Sequence, residues 1–292
     1  MKVRAAAKLN LHLSVLAREA DGFHQLETVF CALELADDLD VELGEPGVRL
    51  VVDGPDLGPL DRNLVHRAAV AYFEAAGLPA AVDVRLVKRV PAGAGLGGGS
   101  SDAAATLRAL DQLHGAALGA ERLLQLAARL GSDVPFFLAD AALALAWGRG
   151  ERLLALPEPP RAPVLLAVPP FAVSTPEAFR ALDEHRAAAW VPEPRVHRAA
   201  TFQTWTALAA RATNDFEPVL FQRYPVLPAL KAALLDAGAE LALLTGSGSA
   251  LFGIFRARAH CREAAQALRA AFADVEFIET TTATVTREDL LG

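Results

Sequence analysis

The N-terminal segment alternates strictly between polar and apolar residues. The sequence KLNLHLSV at 8–15 places leucine or valine at every second position and lysine, asparagine, histidine and serine between them. Because successive side chains of a strand point to opposite faces, this alternation predicts a half-buried β-strand. Its polar face carries Lys8 and Asn10, which are therefore held by rigid backbone.

The rest of the chain shows a mixture of strand and helix patterns. Predicted strands cover 25–33, 40–43, 49–53, 82–86, 164–168, 239–245, 250–255 and 275–284. Predicted helices cover 63–76, a segment from 100 onward, 120–130, 201–210, 225–237 and 257–272. These elements do not follow a regular βαβ order, so the predicted fold class is α+β rather than a doubly wound sheet.

A proline cluster divides the chain near its middle. The sequence PEPPRAP at 157–163 cannot continue a helix or a central strand. A length of 292 residues suits one large domain or two of ordinary size. We therefore predict an N-terminal domain over 1–156 and a C-terminal domain over 164–292.

The composition describes a globular chain with an acidic balance. The residues are 53% hydrophobic and 22% charged, and 28 Lys+Arg against 35 Asp+Glu give a net charge of −7. This balance argues against proteins that coat nucleic acid or bind membranes through basic patches. No apolar run approaches the roughly 18 residues of a membrane span, and no signal peptide is predicted. We expect a cytoplasmic protein without a nucleic-acid, membrane or protein partner.

Cysteine and histidine spacing does not indicate a metal site. Cys31 and Cys261 are the only cysteines and lie far apart in the chain. No Cys, His or acidic cluster has the spacing of a structural zinc site. We expect two reduced, buried thiols and no metal-ligating residues.

A glycine-rich segment follows the strand predicted at 82–86. The sequence PAGAGLGGGSSD at 91–102 has five glycines in seven positions and precedes a predicted helix. Exposed backbone N–H groups and the positive end of a helix form an anion site, to which Ser100 and Ser101 add hydroxyls. The alternative is a flexible linker with Ser100 as a helix cap. Asp102 is interpreted as a structural residue of the first helical turn.

Three common phosphate loops do not fit this segment. A Walker A loop would end in Gly-Lys-Ser/Thr, which the chain lacks. The pattern Gly93-x-Gly95-x-x-Gly98 satisfies a dinucleotide fingerprint formally, but Glu121 opens a predicted helix instead of ending a second strand. Protein-kinase VAIK, HRD and DFG motifs are absent.

The whole segment PAGAGLGGGSSDAA resembles the phosphate-binding motif of the GHMP kinases. AAKLNLHL at 6–13, DGFH at 21–24, LGSDVPFF at 130–137 and LLTGSGSALF at 243–252 are similar to further segments of that family, in the same order. The flanking segments resemble the branch that acts on 4-diphosphocytidyl-2-C-methyl-D-erythritol. The resemblance implies a two-lobed fold with its active site in the cleft between the lobes, ATP with Mg²⁺ as cofactor, and phosphorylation of the substrate's 2-hydroxyl.

The resemblance also implies catalytic and nucleotide-binding residues. Asp133 takes the position of the catalytic base, with Lys8 beside it as a compensating cation. Taken alone, Asp133 favours a helix cap and Lys8 a solvated strand residue. The implied nucleotide-binding residues are Asn63, for which capping is the alternative, and Pro91, Ala92, Gly93, Ala94, Gly95, Leu96, Gly97, Gly98, Gly99, Ser100 and Ser101.

The implied substrate site draws on both halves of the chain. Phe23 and Phe179 would stack on the two faces of a cytosine ring, and His24 would bind its edge. The remaining implied substrate residues are Asn10, Thr175, Gly246 and Ser247. The alternatives are a loop histidine, core phenylalanines, Thr175 as a helix cap and residues 246–247 as a plain β-turn.

Two other functions stay open at this stage. Another small-molecule kinase of the family would keep the glycine loop but would not need the DGFH turn or Phe179. A non-catalytic nucleotide-binding regulator would bind ATP without turnover, and intact Lys8 and Asp133 argue against it.

Overall fold

The computed structural model describes residues 1–139, 141–189 and 199–284. Parts of the predicted C-terminal domain, residues 190–198 and 285–292, lie outside this description. The described residues form two β-sheets with helices packed on them, which agrees with the predicted α+β class. One sheet ends before the proline cluster at 157–163, and the other begins within it, because Pro163 is the first residue of its first strand.

The first sheet has six strands built around one long hairpin. Strands β1 (Lys2–Arg18) and β2 (His24–Leu43) pair antiparallel along almost their whole length. Five of the six strands follow the order β3-β4-β2-β5-β6, and β1 pairs with β2 outside this order. Only β3 and β4 are parallel to each other. The other strands are β3 (Gly47–Asp53), β4 (Ala81–Val87), β5 (Leu143–Gly148) and β6 (Arg152–Ala155).

Helices cover one region of this sheet and enclose an apolar core. They are α1 (Leu64–Ala76), α2 (Gly98–Leu113), α3 (Gly119–Leu130) and the short α4 (Val134–Leu138). Tyr72 and Phe73 of α1 pack with Leu107 of α2 and Leu86 of β4. The helix predicted over 63–76 is α1, and Gly77, whose φ of 66° is left-handed, ends it.

The second sheet has four antiparallel strands in the order β10-β7-β9-β8. They are β7 (Pro163–Val168), β8 (Leu241–Leu244), β9 (Leu251–Ile254) and β10 (Glu276–Thr281). The helices are α5 (Thr175–Ala189), α6 (Trp205–Ala209), α7 (Glu217–Arg223), α8 (Val226–Asp236) and α9 (Arg258–Ala271).

The prediction that β1 is half-buried was wrong. Lys8, Asn10 and His12 are each only 2% exposed, so both faces of the strand are covered. The second half of the chain supplies the cover over Asn10 and His12, because Thr245 Oγ1 accepts the Asn10 N–H and Thr213 Oγ1 lies 3.3 Å from His12 Nδ1. Polar groups more than 200 residues away in the sequence therefore take the place of the solvent that was expected on the polar face of β1.

Two other elements differ from their predicted extent. Strand β2 runs unbroken where two strands were predicted, because the acidic Asp37 inside it is buried and accepts the Arg89 and Val90 N–H groups. The helix predicted over 201–210 is limited to α6, with a 3₁₀ turn at Ala199–Phe202 before it. Among the described residues, no helix is long and apolar enough to cross a bilayer.

Candidate active site

Lys8 and Asp133, 125 positions apart in the sequence, form an ion pair. Lys8 Nζ lies 3.2 Å from Asp133 Oδ2 and donates hydrogen bonds to Asn10 Oδ1 at 2.6 Å and Gly95 O at 2.9 Å. The Lys8 side chain is 3% exposed, whereas that of Asp133 is 32% exposed. An ammonium group has three N–H donors, and three acceptors therefore fix the Lys8 side chain. The Asp133 carboxylate stays accessible from the other side.

The side chain of Asp133 does not cap the helix that it precedes. Asp133 occupies the N-cap position of α4, but its side chain makes no capping hydrogen bond. Its carboxylate instead faces Lys8. The position of Asp133 in the sequence fits both a helix cap and a partner of Lys8. In the structure its side chain forms the ion pair with Lys8.

Asn10 is committed to protein contacts. Its Oδ1 accepts from Lys8 and, at 3.3 Å, from Thr245 Oγ1, while its Nδ2 donates to Thr28 Oγ1 at 2.8 Å. Thr245 Oγ1 also lies 3.2 Å from Gly95 O. Asn10 therefore orients the Lys8 side chain. The sequence analysis predicted only a substrate-binding role for Asn10 and not this contact.

The glycine-rich segment forms a loop that enters α2. The helix begins at Gly98, two residues earlier than predicted, and Gly97 at its N-cap has a φ of 73°. Gly95 has a φ of 80°, and a Cβ there would lie 2.2 Å from the Thr245 carbonyl oxygen. Only a glycine permits this approach of the loop to the turn between β8 and β9.

A cavity of about 350 Å³ lies along this loop and contains nearly all of the predicted nucleotide-binding residues. Asn63 lines it while also capping α1 through Oδ1, which accepts the Val65 N–H at 2.9 Å. Ser101 is the exception, because it is buried within α2 and is not part of the lining. The predicted residues in the lining are Asn63, Pro91, Ala92, Gly93, Ala94, Gly95, Leu96, Gly97, Gly98, Gly99 and Ser100.

A second cavity of about 490 Å³ adjoins the first, and both are lined by Gly95 and Gly97. It contains the Lys8–Asp133 pair and draws on both halves of the chain. The predicted substrate residues in its lining are Asn10, Phe23, His24, Thr175, Phe179, Gly246 and Ser247. Thr175 and Ser247 are hydrogen-bonded to each other at 2.9 Å between their hydroxyl oxygens.

The aromatic residues of the second cavity are arranged differently from the prediction. His24 and Phe179 stack directly on each other, with ring centroids 4.6 Å apart and an angle of 18°. His24 Nε2 lies 2.8 Å from Asp183 Oδ1, a partner that the sequence analysis missed. Phe23 is 55% exposed and does not contact Phe179. Asp183 follows Phe179 by one helical turn, and that spacing is the only sequence signal for it.

A buried ion cluster at the first cavity was also missed. Lys88 Nζ contacts Asp37 and lies 2.8 Å from Asp102 Oδ2, and all three side chains are at most 3% exposed. Asp102 Oδ1 has no hydrogen-bond partner. Burial raises the pKa of Asp102 to about 7, although the Lys88 cation acts in the opposite direction. One cation between two carboxylates cannot stabilise both charges fully.

Asp102→Asn is expected to make the stability of the protein less dependent on pH. A carboxyl whose pKa is raised by folding binds its proton more tightly in the folded state, so stability falls as pH rises from about 4 to about 7. The neutral Asn avoids this loss. We expect the variant to unfold about 5 °C above the wild-type protein at pH 8 and at the same temperature at pH 4.5. A temperature difference that does not change with pH would contradict the assignment.

Comparisons with known proteins match both halves of the chain. Residues 63–141 match the model for the GHMP kinases N-terminal domain, and residues 197–274 match the model for the GHMP kinases C-terminal domain. A protein of Solibacter usitatus named 4-diphosphocytidyl-2-C-methyl-D-erythritol kinase is 43% identical over 259 residues, which are 88% of this chain and 81% of that protein.

Solved structures show the same relationship. A crystal structure of 4-(cytidine 5'-diphospho)-2C-methyl-D-erythritol kinase is 40% identical, covers 97% of this chain and 99% of its own, and has a TM-score of 0.81. A homoserine kinase from Cytophaga hutchinsonii matches with a TM-score of 0.73 over 97% of this chain and 94% of its own. Its identity of 19% shows a shared fold alone.

Proposed function

Since the chain belongs to the GHMP kinases and, within them, to the 4-diphosphocytidyl-2-C-methyl-D-erythritol kinases, we propose that it transfers the γ-phosphate of ATP to the 2-hydroxyl of 4-diphosphocytidyl-2-C-methyl-D-erythritol. Such a step belongs to the non-mevalonate synthesis of isoprene precursors. The observation that carries this proposal for the site is the Lys8–Asp133 pair where two adjoining cavities share Gly95 and Gly97.

The first cavity suits the phosphates of ATP. Its glycine-rich loop leads into the N-terminus of α2, where backbone N–H groups and the helix dipole favour negative charge. Ser100 adds a hydroxyl to the same lining. The γ-phosphate would extend past the shared glycines toward Asp133.

Asp133 suits the role of general base. It is accessible from the second cavity, so its carboxylate can accept the proton of a substrate hydroxyl as the oxygen attacks phosphorus. Lys8 is fixed against the carboxylate and supplies a positive charge where negative charge develops in the transition state. Asn10 and Gly95 hold Lys8 in this place.

Mg²⁺ is proposed as the companion of ATP. The ion would neutralise phosphate charge, held chiefly by phosphate oxygens and water. The residues present fit this arrangement, because the Ser100 hydroxyl in the lining of the first cavity is a hard oxygen donor. In the part of the chain that the structure describes, no group of three His, Cys, Asp or Glu residues could hold an ion by itself.

The second cavity suits the cytidine end of the substrate. Phe23, His24 and Phe179 provide aromatic surfaces, and Thr175, Gly246 and Ser247 provide polar groups and close backbone. We propose that residues 1–156 form the nucleotide-binding domain and that residues 164–292 complete this substrate pocket. The substrate would then lie between the two sheets.

The decisive experiment measures ADP release by the purified protein with Mg·ATP and each of three acceptors. We expect turnover with 4-diphosphocytidyl-2-C-methyl-D-erythritol and none above background with mevalonate or homoserine. Turnover with another acceptor would indicate a different small-molecule kinase. Tight ATP binding without turnover of any acceptor would indicate a regulator and would contradict the proposal.

A further inference from the structure

The turn between β5 and β6 lies against the DGFH turn. Arg149 in this turn donates a hydrogen bond through Nε to Glu19 Oε2 at 2.9 Å and further hydrogen bonds through Nη2 to Glu19 and Asp21. Its guanidinium carbon lies 4.1 Å from the centre of the Phe23 ring. One side chain therefore contacts two carboxylates and one aromatic face of the same turn.

The DGFH turn is also closed on itself. The Glu19 N–H donates to Phe23 O at 2.7 Å, and the Phe23 N–H donates to Asp21 Oδ1 at 3.2 Å. Hydrogen bonds from Arg149 hold the pKa of the Glu19 and Asp21 carboxyls below their usual range, so both are ionised near neutral pH. These two carboxylates carry more negative charge than Arg149 carries positive charge, which makes Arg149 ill-suited to bind phosphate.

The turn that carries Arg149 packs closely against the backbone of Ser132, the residue before Asp133. Gly150 has a φ of 113°, and a Cβ there would lie 3.0 Å from the Ser132 carbonyl oxygen. The Arg149 N–H donates to Glu151 Oε2 at 2.7 Å. The backbone that carries the Arg149 side chain is therefore packed beside the residue that precedes the proposed base.

Phe23 needs such support because little else holds its ring. The residue is 55% exposed, yet it lines the substrate cavity together with Arg149. A guanidinium stacks favourably on an aromatic face and leaves the opposite face for a ligand. We infer that Arg149 is a positioning residue that fixes the Phe23 ring as a stacking surface for the cytosine of the substrate, an inference that rests on the proposed function.

The inference predicts a change in substrate binding rather than in chemistry. Without Arg149 the ring must be ordered during binding, so Arg149→Ala should raise the KM for the cytidyl substrate about tenfold. The kcat and the KM for ATP should stay within about twofold, since Arg149 does not touch Lys8, Asp133 or the glycine loop. Arg149→Lys, which keeps the charge but loses the planar contact, should fall between the two.

Steady-state kinetics with matched variants test this. Arg152→Ala is the control, because Arg152 belongs to the neighbouring strand β6, is 66% exposed and does not line the cavity. Thermal unfolding of each variant checks that folding is intact. An unchanged KM in both Arg149 variants, or a fall in kcat without a change in KM, would overturn the inference.

A double-mutant cycle separates positioning from direct contact. If Arg149 acts through Phe23, Arg149→Ala should raise KM no further in a Phe23→Ala background. A full tenfold increase in that background would mean that Arg149 itself contacts the substrate, and would overturn the inference. The wild-type protein assayed in parallel distinguishes the two proposals: turnover by the wild type with unaffected variants refutes the inference alone, and no wild-type turnover refutes both.

Discussion

Replacing Asp133 by Asn is expected to lower kcat roughly a thousandfold while both KM values change less than about threefold. The amide keeps the size of the side chain but cannot accept the hydroxyl proton. It also leaves the buried ammonium group of Lys8, 3.2 Å away, without its counter-charge. A loss confined to kcat indicates an interaction that is made in the transition state.

Steady-state kinetics with ATP and the cytidyl substrate varied in turn measure kcat and both KM values. Asp236→Asn is the matched control, because Asp236 is an exposed residue at the end of α8 and lines neither cavity. We expect its kcat to equal that of the wild type. A kcat that falls less than tenfold in Asp133→Asn would remove this carboxylate from the role of base.

Replacing Gly95 by Ala is expected to abolish measurable activity and to destabilise the protein by about 3 kcal/mol. The new Cβ would lie 2.2 Å from the Thr245 carbonyl oxygen and 3.1 Å from that of Gly248, and neither is a flexible side chain. The loop must therefore move away from the second sheet. Because Gly95 O accepts a hydrogen bond from Lys8, this movement also displaces the Lys8 ammonium group from Asp133.

Gly58→Ala provides a control for the strain of a left-handed backbone. Gly58 has a φ of 82°, close to the 80° of Gly95, but a Cβ there would meet nothing within 4 Å. Calorimetry of ATP binding and thermal unfolding of the two variants isolate the cost of the steric contact. Equal losses in both variants would show that backbone strain alone explains the effect of Gly95→Ala.

The predicted parts of the site are those that lie in continuous motifs. The glycine-rich loop was predicted from local chemistry, since glycines before a helix expose N–H groups wherever the rest of the chain lies. The identification of Asp133, Lys8 and the DGFH turn depended on the family resemblance. Without it, Asp133 favours a helix cap and Lys8 a solvated strand residue.

The residues that the sequence did not reveal are brought to the site by tertiary contacts. Thr245 and Asp183 belong to the second half of the chain, and their partners Asn10 and His24 lie near the N-terminus. Arg149 stands in a short turn whose local sequence, Gly-Arg-Gly, indicates only a bend. Side-chain periodicity describes which residues of one element share a face and is silent on what covers that face.

The break predicted in β2 has a similar cause. Asp37 and Asp38 are typical of loops, and a prediction from local propensity ends the strand there. Asp37 is fully buried, and Lys88 with two backbone N–H groups satisfies its carboxylate. Burial of a charged residue depends on partners 50 positions away, which a local pattern cannot contain.

The hydrogen bonds between β1 and the second half of the chain have a consequence for the order in which the chain folds. The Asn10 N–H donates to Thr245, 235 residues later in the sequence, and the Leu13 N–H donates to the carbonyl oxygen of Thr213. During synthesis at roughly 10 residues per second, about 20 s pass between the emergence of these partners from the ribosome. Throughout that interval the Asn10 and Leu13 N–H groups depend on water, although β2 already pairs with β1. The hydrogen bonds that join the strand of Lys8 to the second half of the chain are therefore among the last to form.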